Sequence, residues 1–164
     1  YWYFKSRKHL LEALLEDWEA RNTRTIAAQC ALPASGITEA VCHFFRCFLD
    51  PGLFDQGLDF AVREWARRDK FIRKRIDAAD KERLAAVAEM FARHGYSEYE
   101  ADVRGRILYF MQLGYHALEV REPMEERTKR LWGYVKGFTG QEPDAEVVAR
   151  FAELAMGRDW PEQS

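Results

Sequence analysis

The chain is short of cysteine, of proline and of long apolar runs, and each shortage removes a class of protein. Three cysteines, Cys30, Cys42 and Cys47, cannot all pair with one another. That argues against a disulfide scaffold and for a reducing, cytoplasmic setting. No stretch reaches the ~20 apolar residues of a membrane span, and no signal peptide is visible. Neither sign of charge predominates: the formal net charge is −2, which gives no support for wholesale nucleic-acid binding. No run alternates polar and apolar residues for long enough to argue a strand. Gly-rich phosphate loops and nucleophile elbows are missing as well. His9, His43, His94 and His116 lack the His-x3-His or Glu-x-x-His spacing of a di-iron bundle. Cys42 and Cys47 stand five apart, about 140° around a helix, so with His43 they do not face one ion. They read as small buried thiols. No catalytic constellation, cofactor or metal is expected, and the chain is read as a non-enzyme.

What remains is helical. With 164 residues, 48% of them hydrophobic, the chain suits one domain with its own core. Ser6 caps a helix with apolar residues Leu10, Leu11, Leu14, Leu15 and Trp18, which can continue past Asn22 to Ile26 before Pro33 and Gly36 stop it. Further helices are expected around Ile37 to Phe48, Phe54 to Trp65, and from Asp69 to Gly95. Pro123 opens another, with Met124, Thr128, Leu131, Val135 and Phe138 spaced 4-3-4-3, as in helices packed at a shallow angle. A last one covers about 143–156. The fold class is all-α, with about seven helices.

The organising stretch is 97–119. Ser97 and Glu100 form a capping box at its start, and Gly95 stops the helix before it. Val103, Ile107, Phe110, Met111, Gly114 and Leu118 fall on one side; Ala101, Gly105, Leu108, Tyr109, Gln112 and His116 fall on the other. A helix apolar on both sides separates two packed layers, and in a chain this small one layer is read as a second subunit. The expected dimer interface is therefore a four-helix bundle, two helices from each subunit. It joins Val103, Ile107, Phe110, Met111, Gly114 and Leu118 to Met124, Thr128, Leu131, Val135 and Phe138. On the inner side a ligand pocket is expected between the helices at 37–49, 58–65 and 69–94. Phe44, Phe48, Trp65, Phe91, Leu108 and Tyr109 form its apolar walls, and Gln112 and His116 orient the ligand. Plain core packing is the competing reading for the rings, and satisfied hydrogen bonds for Gln112 and His116.

The opening Tyr1-Trp2-Tyr3-Phe4-Lys5-Ser6-Arg7-Lys8-His9-Leu10-Leu11 resembles the end of the helix-turn-helix in TetR-type transcriptional regulators. Tyr1, Phe4, Ser6, Leu10 and Leu11 match that run; Tyr3 replaces the common His and Arg7 the common Lys. Arg63-Glu64-Trp65-Ala66, Arg83, Gly95-Tyr96-Ser97 and Gly114 are similar to landmarks of the ligand-binding domains in these regulators. The resemblance implies that residues 1–5 end a DNA-binding headpiece whose earlier part lies upstream of a fragment that begins in mid-pattern. Residues 6–164 are then a ligand-binding and dimerisation domain. It further implies a homodimer, operator DNA bound through the headpiece, and a small, mostly apolar effector that releases a repressor. Tyr1 and Arg7 match phosphate-contacting positions, with Trp2 and Tyr3 beside them; a Tyr hydroxyl, an Arg fork and a helix start suit phosphate oxygens. A helical dimerisation or small-molecule-binding module with no DNA role is the alternative.

Overall fold

The computed structural model describes residues 5–157, and every regular element among them is helical. α1 (Arg7–Trp18) begins at Ser6, whose hydroxyl accepts the His9 amide at 3.2 Å. It does not stop at Trp18. A π-helical segment (Glu19–Thr23) leads directly into α2 (Arg24–Ala31), and the Arg24 amide donates five residues back to Glu19. α2 ends where Leu32 turns extended ahead of Pro33, as the residue before a proline must when the ring crowds the helical conformation. α3 (Ile37–Arg46), α4 (Gln56–Ala66) and α5 (Lys70–Arg93) follow. Asp55 and Asp69 cap the last two, each accepting first-turn amides.

Gly95 closes α5 at φ 89°, and Ser97 caps α6 (Glu98–Ala117), taking the Glu100 amide at 3.1 Å. The helix expected over 123–139 is divided at Arg130 into α7 (Met124–Lys129) and α8 (Leu131–Thr139). α9 (Ala145–Ala155) ends the described fold. Two of the seven expected helices are thus split, one by the π-helical segment and one at Arg130.

The apolar interior has two parts. The larger gathers α2, α3, α6, α8 and α9 around Val41, Phe44, Met90, Phe91, Leu108 and Val135. The smaller holds Leu15 and Trp18 of α1, Val62 and Ala66 of α4, and Ile72, Ile76 and Ala79 of α5. α5 belongs to both: its first half faces the smaller core and its second half the larger. α6 lies against α5 closely enough that a β-carbon at Gly105 would meet the Ala88 amide nitrogen at 3.2 Å and its α-carbon at 3.3 Å. The other side of α6 faces outward, with Ile107 49% exposed, Phe110 52% and Leu118 79%. Among the described residues, no helix is long and apolar enough to cross a membrane.

Replacing Gly105 by Ala forces this α5–α6 contact apart and lowers stability by about 1–3 kcal/mol. A β-carbon at Gly114 would meet nothing within 4 Å of its own chain, so in the separated subunit Gly114→Ala raises stability by up to about 1 kcal/mol through helix propensity. Urea denaturation of the two variants checks this, and equal midpoints contradict the close contact.

Candidate functional site

The buried stripe of α5 runs Ile72, Ile76, Ala79, Arg83, Val87 and Met90. All are apolar except Arg83, which stands where the two cores meet and is wholly enclosed. An enclosed guanidinium must be paired and hydrogen-bonded. Arg83 Nη2 donates to Asp59 Oδ1 at 2.8 Å, and Nη1 donates to Asp59 Oδ2 at 3.3 Å and to the Tyr109 hydroxyl at 3.2 Å. Nε donates to Thr23 Oγ1 at 3.0 Å. The rings of Trp18 and Phe54 flank the guanidinium at 5.4 and 5.5 Å.

Asp59 is equally enclosed. It also accepts from Trp18 Nε1 at 2.8 Å, from Asn22 Nδ2 at 3.3 Å and from Arg63 Nε at 3.2 Å. Arg63 makes a two-pronged pair with Asp80, at 2.7 and 2.9 Å, and the Tyr109 hydroxyl donates to Asp80 at 2.5 Å. Two carboxylates and two guanidiniums leave the cluster neutral. Burial alone raises the Asp59 pKa, but the Arg83 charge and bonds, Arg63 and Trp18 together hold it below the usual carboxylate value. Burial raises the Tyr109 hydroxyl, so it stays protonated and able to donate. Glu19 of the π-helical segment, the residue after Trp18, accepts from Arg75 Nε and Nη2 at 2.7 and 2.9 Å. The junction thus ties α1 and the π-helical segment to α4, α5 and α6.

One turn further along α6 lies a cleft between α3, α6, α7, α8 and α9. Phe45, Phe48, Leu49, Met111, Gln112, Tyr115, Met124, Arg127, Thr128, Leu131, Tyr134, Phe151 and Ala155 line it, around about 70 Å³ of free space. The Gln112 amide nitrogen sits 2.9 Å from His116 Nε2. An amide nitrogen only donates, so Nε2 accepts and the ring proton is on Nδ1, which is enclosed without a partner. The ring lies 5.2 Å from Phe48 and 6.4 Å from Phe54. Burial, opposed by the Asp59 charge and helped by Arg127, lowers the His116 pKa to about 4. The ring is neutral at pH 7.

Of the expected pocket residues, Phe48 and Gln112 line this cleft, and His116 adjoins it through Gln112. Phe44, Phe91 and Leu108 are sealed in the larger core, and Tyr109 reaches the junction instead. Trp65 packs against the smaller core and lines a surface hollow with Arg7, away from the cleft. Of the expected interface, Ile107, Phe110 and Leu118 are exposed, while Val103 and Gly114 are half-buried. Leu131, Val135 and Phe138 are not on the surface: α8 packs that stripe onto α3, α6 and α9 of its own chain. Met111, Met124, Thr128 and Leu131 border the cleft. The outer side of α8 carries Trp132, Gly133, Lys136 and Gly137. Tyr1, Trp2 and Tyr3 lie outside the described residues; Arg7 is exposed in the first turn of α1. Burial pushes the Cys30 and Cys42 thiols up to about 12, and Cys47 is raised likewise, so all three stay protonated.

Asp59, Asp80, Asn22, Thr23 and Arg127 were not expected at any site. Their signal is a polar side chain in register with apolar neighbours, as Arg83 is with Ala79 and Val87. Compared with known protein families, with curated proteins and with solved structures, the chain matches none.

His116 gives the site a pH dependence. Its pKa falls from 6.5 to about 4 on folding, so between those values the unfolded chain binds a proton that the folded chain does not. The His116 contribution to stability is constant above about 6.5 and is lost as pH drops through that window. Thermal melts of wild type and His116→Gln from pH 7.5 to 4 check it: the variant loses less stability across the window, and parallel curves contradict the assignment.

Proposed function

We propose that this chain is the effector-binding and dimerisation body of a TetR-type, DNA-binding transcriptional regulator, a repressor released from its operator by a small, mostly apolar effector. The observation that carries the reading is the double duty of α6. Its Tyr109 belongs to the junction that grips α1, and Met111, Gln112 and Tyr115 belong to the wall of the cleft. α1 begins with exposed Arg7 and Lys8 beside Lys5, at the end of the chain that this reading assigns to DNA contact. A ligand that favours one setting of α6 then favours one setting of α1, and two such helices in a dimer set the spacing of two headpieces.

The exposed side of α6 supplies the homodimer contact. Ile107, Phe110 and Leu118 surround Gly114, which leaves room for close approach. The glycines on the outer side of α8, Gly133 and Gly137, extend the same opportunity. This corrects the expected four-helix seam in its second half: α8 contributes its glycine side, and its Leu131, Val135 and Phe138 stay inside.

The test uses the full-length protein that carries this chain. Selection from a random duplex pool yields one enriched sequence. Arg7→Ala then weakens binding about equally for all duplexes and reduces the slope of log affinity against log salt by about one. A pool with no enriched sequence contradicts the regulator reading. Sedimentation gives a dimer at micromolar concentration, and Ile107→Glu with Phe110→Glu gives a folded monomer; a wild-type monomer contradicts the interface.

A further inference from the structure

The chemistry of the effector follows from one unpaired charge, an argument that rests on the cleft being the effector site. Arg127 of α7 lines the cleft half-buried, its guanidinium 4.7 Å above the ring of Tyr115. Other sheltered arginines hold carboxylates: Arg63 holds Asp80 at 2.7 Å, Arg75 holds Glu19 at 2.7 Å, Arg83 holds Asp59 at 2.8 Å and Arg104 holds Glu100 at 3.4 Å. Among the described residues Arg127 has no carboxylate within ion-pair distance. Of the acids near it in sequence, Glu122 is engaged by Arg130 and by the Tyr115 hydroxyl, and Glu126 by Lys129; Glu125, two residues before it on the same helix, falls about 200° around from it and makes no ion pair with it. No Asp or Glu lines the cleft. The neighbouring His116 ring is neutral, and its own unpartnered nitrogen is a donor. The unpaired guanidinium at this wall therefore calls for an anionic acceptor.

A phosphate or polyanion site gathers several cations or backbone amides. One guanidinium set among Phe45, Phe48, Met111, Leu131 and Phe151 suits a single carboxylate carried on an apolar body. Free space of about 70 Å³ is about half that of an engineered apolar cavity that admits benzene. One ring or a short chain therefore fits once Met111 and Met124, unbranched and easily re-packed, give way. We propose that the cleft binds a small organic monocarboxylate, its carboxylate paired with Arg127 and its apolar body against the phenylalanine and methionine walls.

Calorimetric titration of the 164-residue chain with benzoate, phenylacetate and hexanoate, each beside its neutral primary amide, tests this without DNA. At least one acid binds about tenfold or more tightly than its amide, the discrimination a charge-assisted pair provides. Arg127→Gln removes that preference and leaves the amide's affinity unchanged. Arg127→Lys, which keeps the charge, retains the preference and guards against a variant that fails to fold. Amide binding as tight as acid binding, an acid preference that survives in Arg127→Gln, or no acid binding at millimolar concentration each overturns the inference. Such a failure leaves the regulator reading standing, since that depends on the duplex selection.

Discussion

The enclosed pair of Asp59 and Arg83 constrains the rest of the molecule. Two charges taken out of water lose several kcal/mol of hydration each, and their attraction offsets that only with good geometry and every remaining polar atom bonded. The helices are arranged to meet that demand. α4 presents Asp59, α5 presents Arg83, α6 brings the Tyr109 hydroxyl, and the first helical path brings Trp18, Asn22 and Thr23. The π-helical turn is part of the same solution. Its wider coil takes about one more residue per turn than an α-helix, and Trp18, Asn22 and Thr23 are all buried. Removing one charge from such a pair typically costs about 3–5 kcal/mol, because the other is left buried and uncompensated.

From this junction the architecture divides. The smaller core lies on the α1 side and the larger on the α3, α8 and α9 side, with α5 running through both. α6 is the element with three environments: the junction at Tyr109, the cleft at Met111, Gln112 and Tyr115, and open surface at Ile107, Phe110 and Leu118. Tyr109 and Gln112 are three residues apart on one helical stripe, so a shift of one carries the other. That adjacency gives a physical basis for coupling between the cleft and α1, with no need for a longer chain of contacts.

The helices were largely legible in the residues because their ends carry local chemistry. Ser6, Asp69 and Ser97 take the first free amides, Gly95 adopts a positive φ, and Pro33 forces Leu32 out of helical geometry. The two sides of the 97–119 helix were legible from periodicity, and the inner side is the buried one. What covers a stripe was not legible. The 4-3-4-3 spacing of Met124, Thr128, Leu131, Val135 and Phe138 describes an apolar face equally well whether a partner or the chain's own α3 and α9 lies against it. The same holds for the expected pocket walls: Phe44, Phe91 and Leu108 have the composition of a ligand wall and the position of a core. The junction was readable in principle. Arg83 in step with Ile76, Ala79 and Val87 signals a buried charge, and Asp59 stands in the same relation to Val62 and Ala66. The partners of Arg83, 24 to 60 residues away from it, were beyond any local pattern.

The central claim is that buried pairing at Asp59 and Arg83, and not the apolar contacts of α1 alone, anchors the first helical path to the body. Native-state amide hydrogen exchange on the unmodified chain tests it most directly, because exchange reads the opening free energy residue by residue. The account predicts a sharp boundary. Amides over 8–14, on the exposed first half of α1, exchange fast, and those over 19–24 exchange as slowly as the interior of α5. Fast exchange over 19–24 while α5 and α6 remain protected would contradict it.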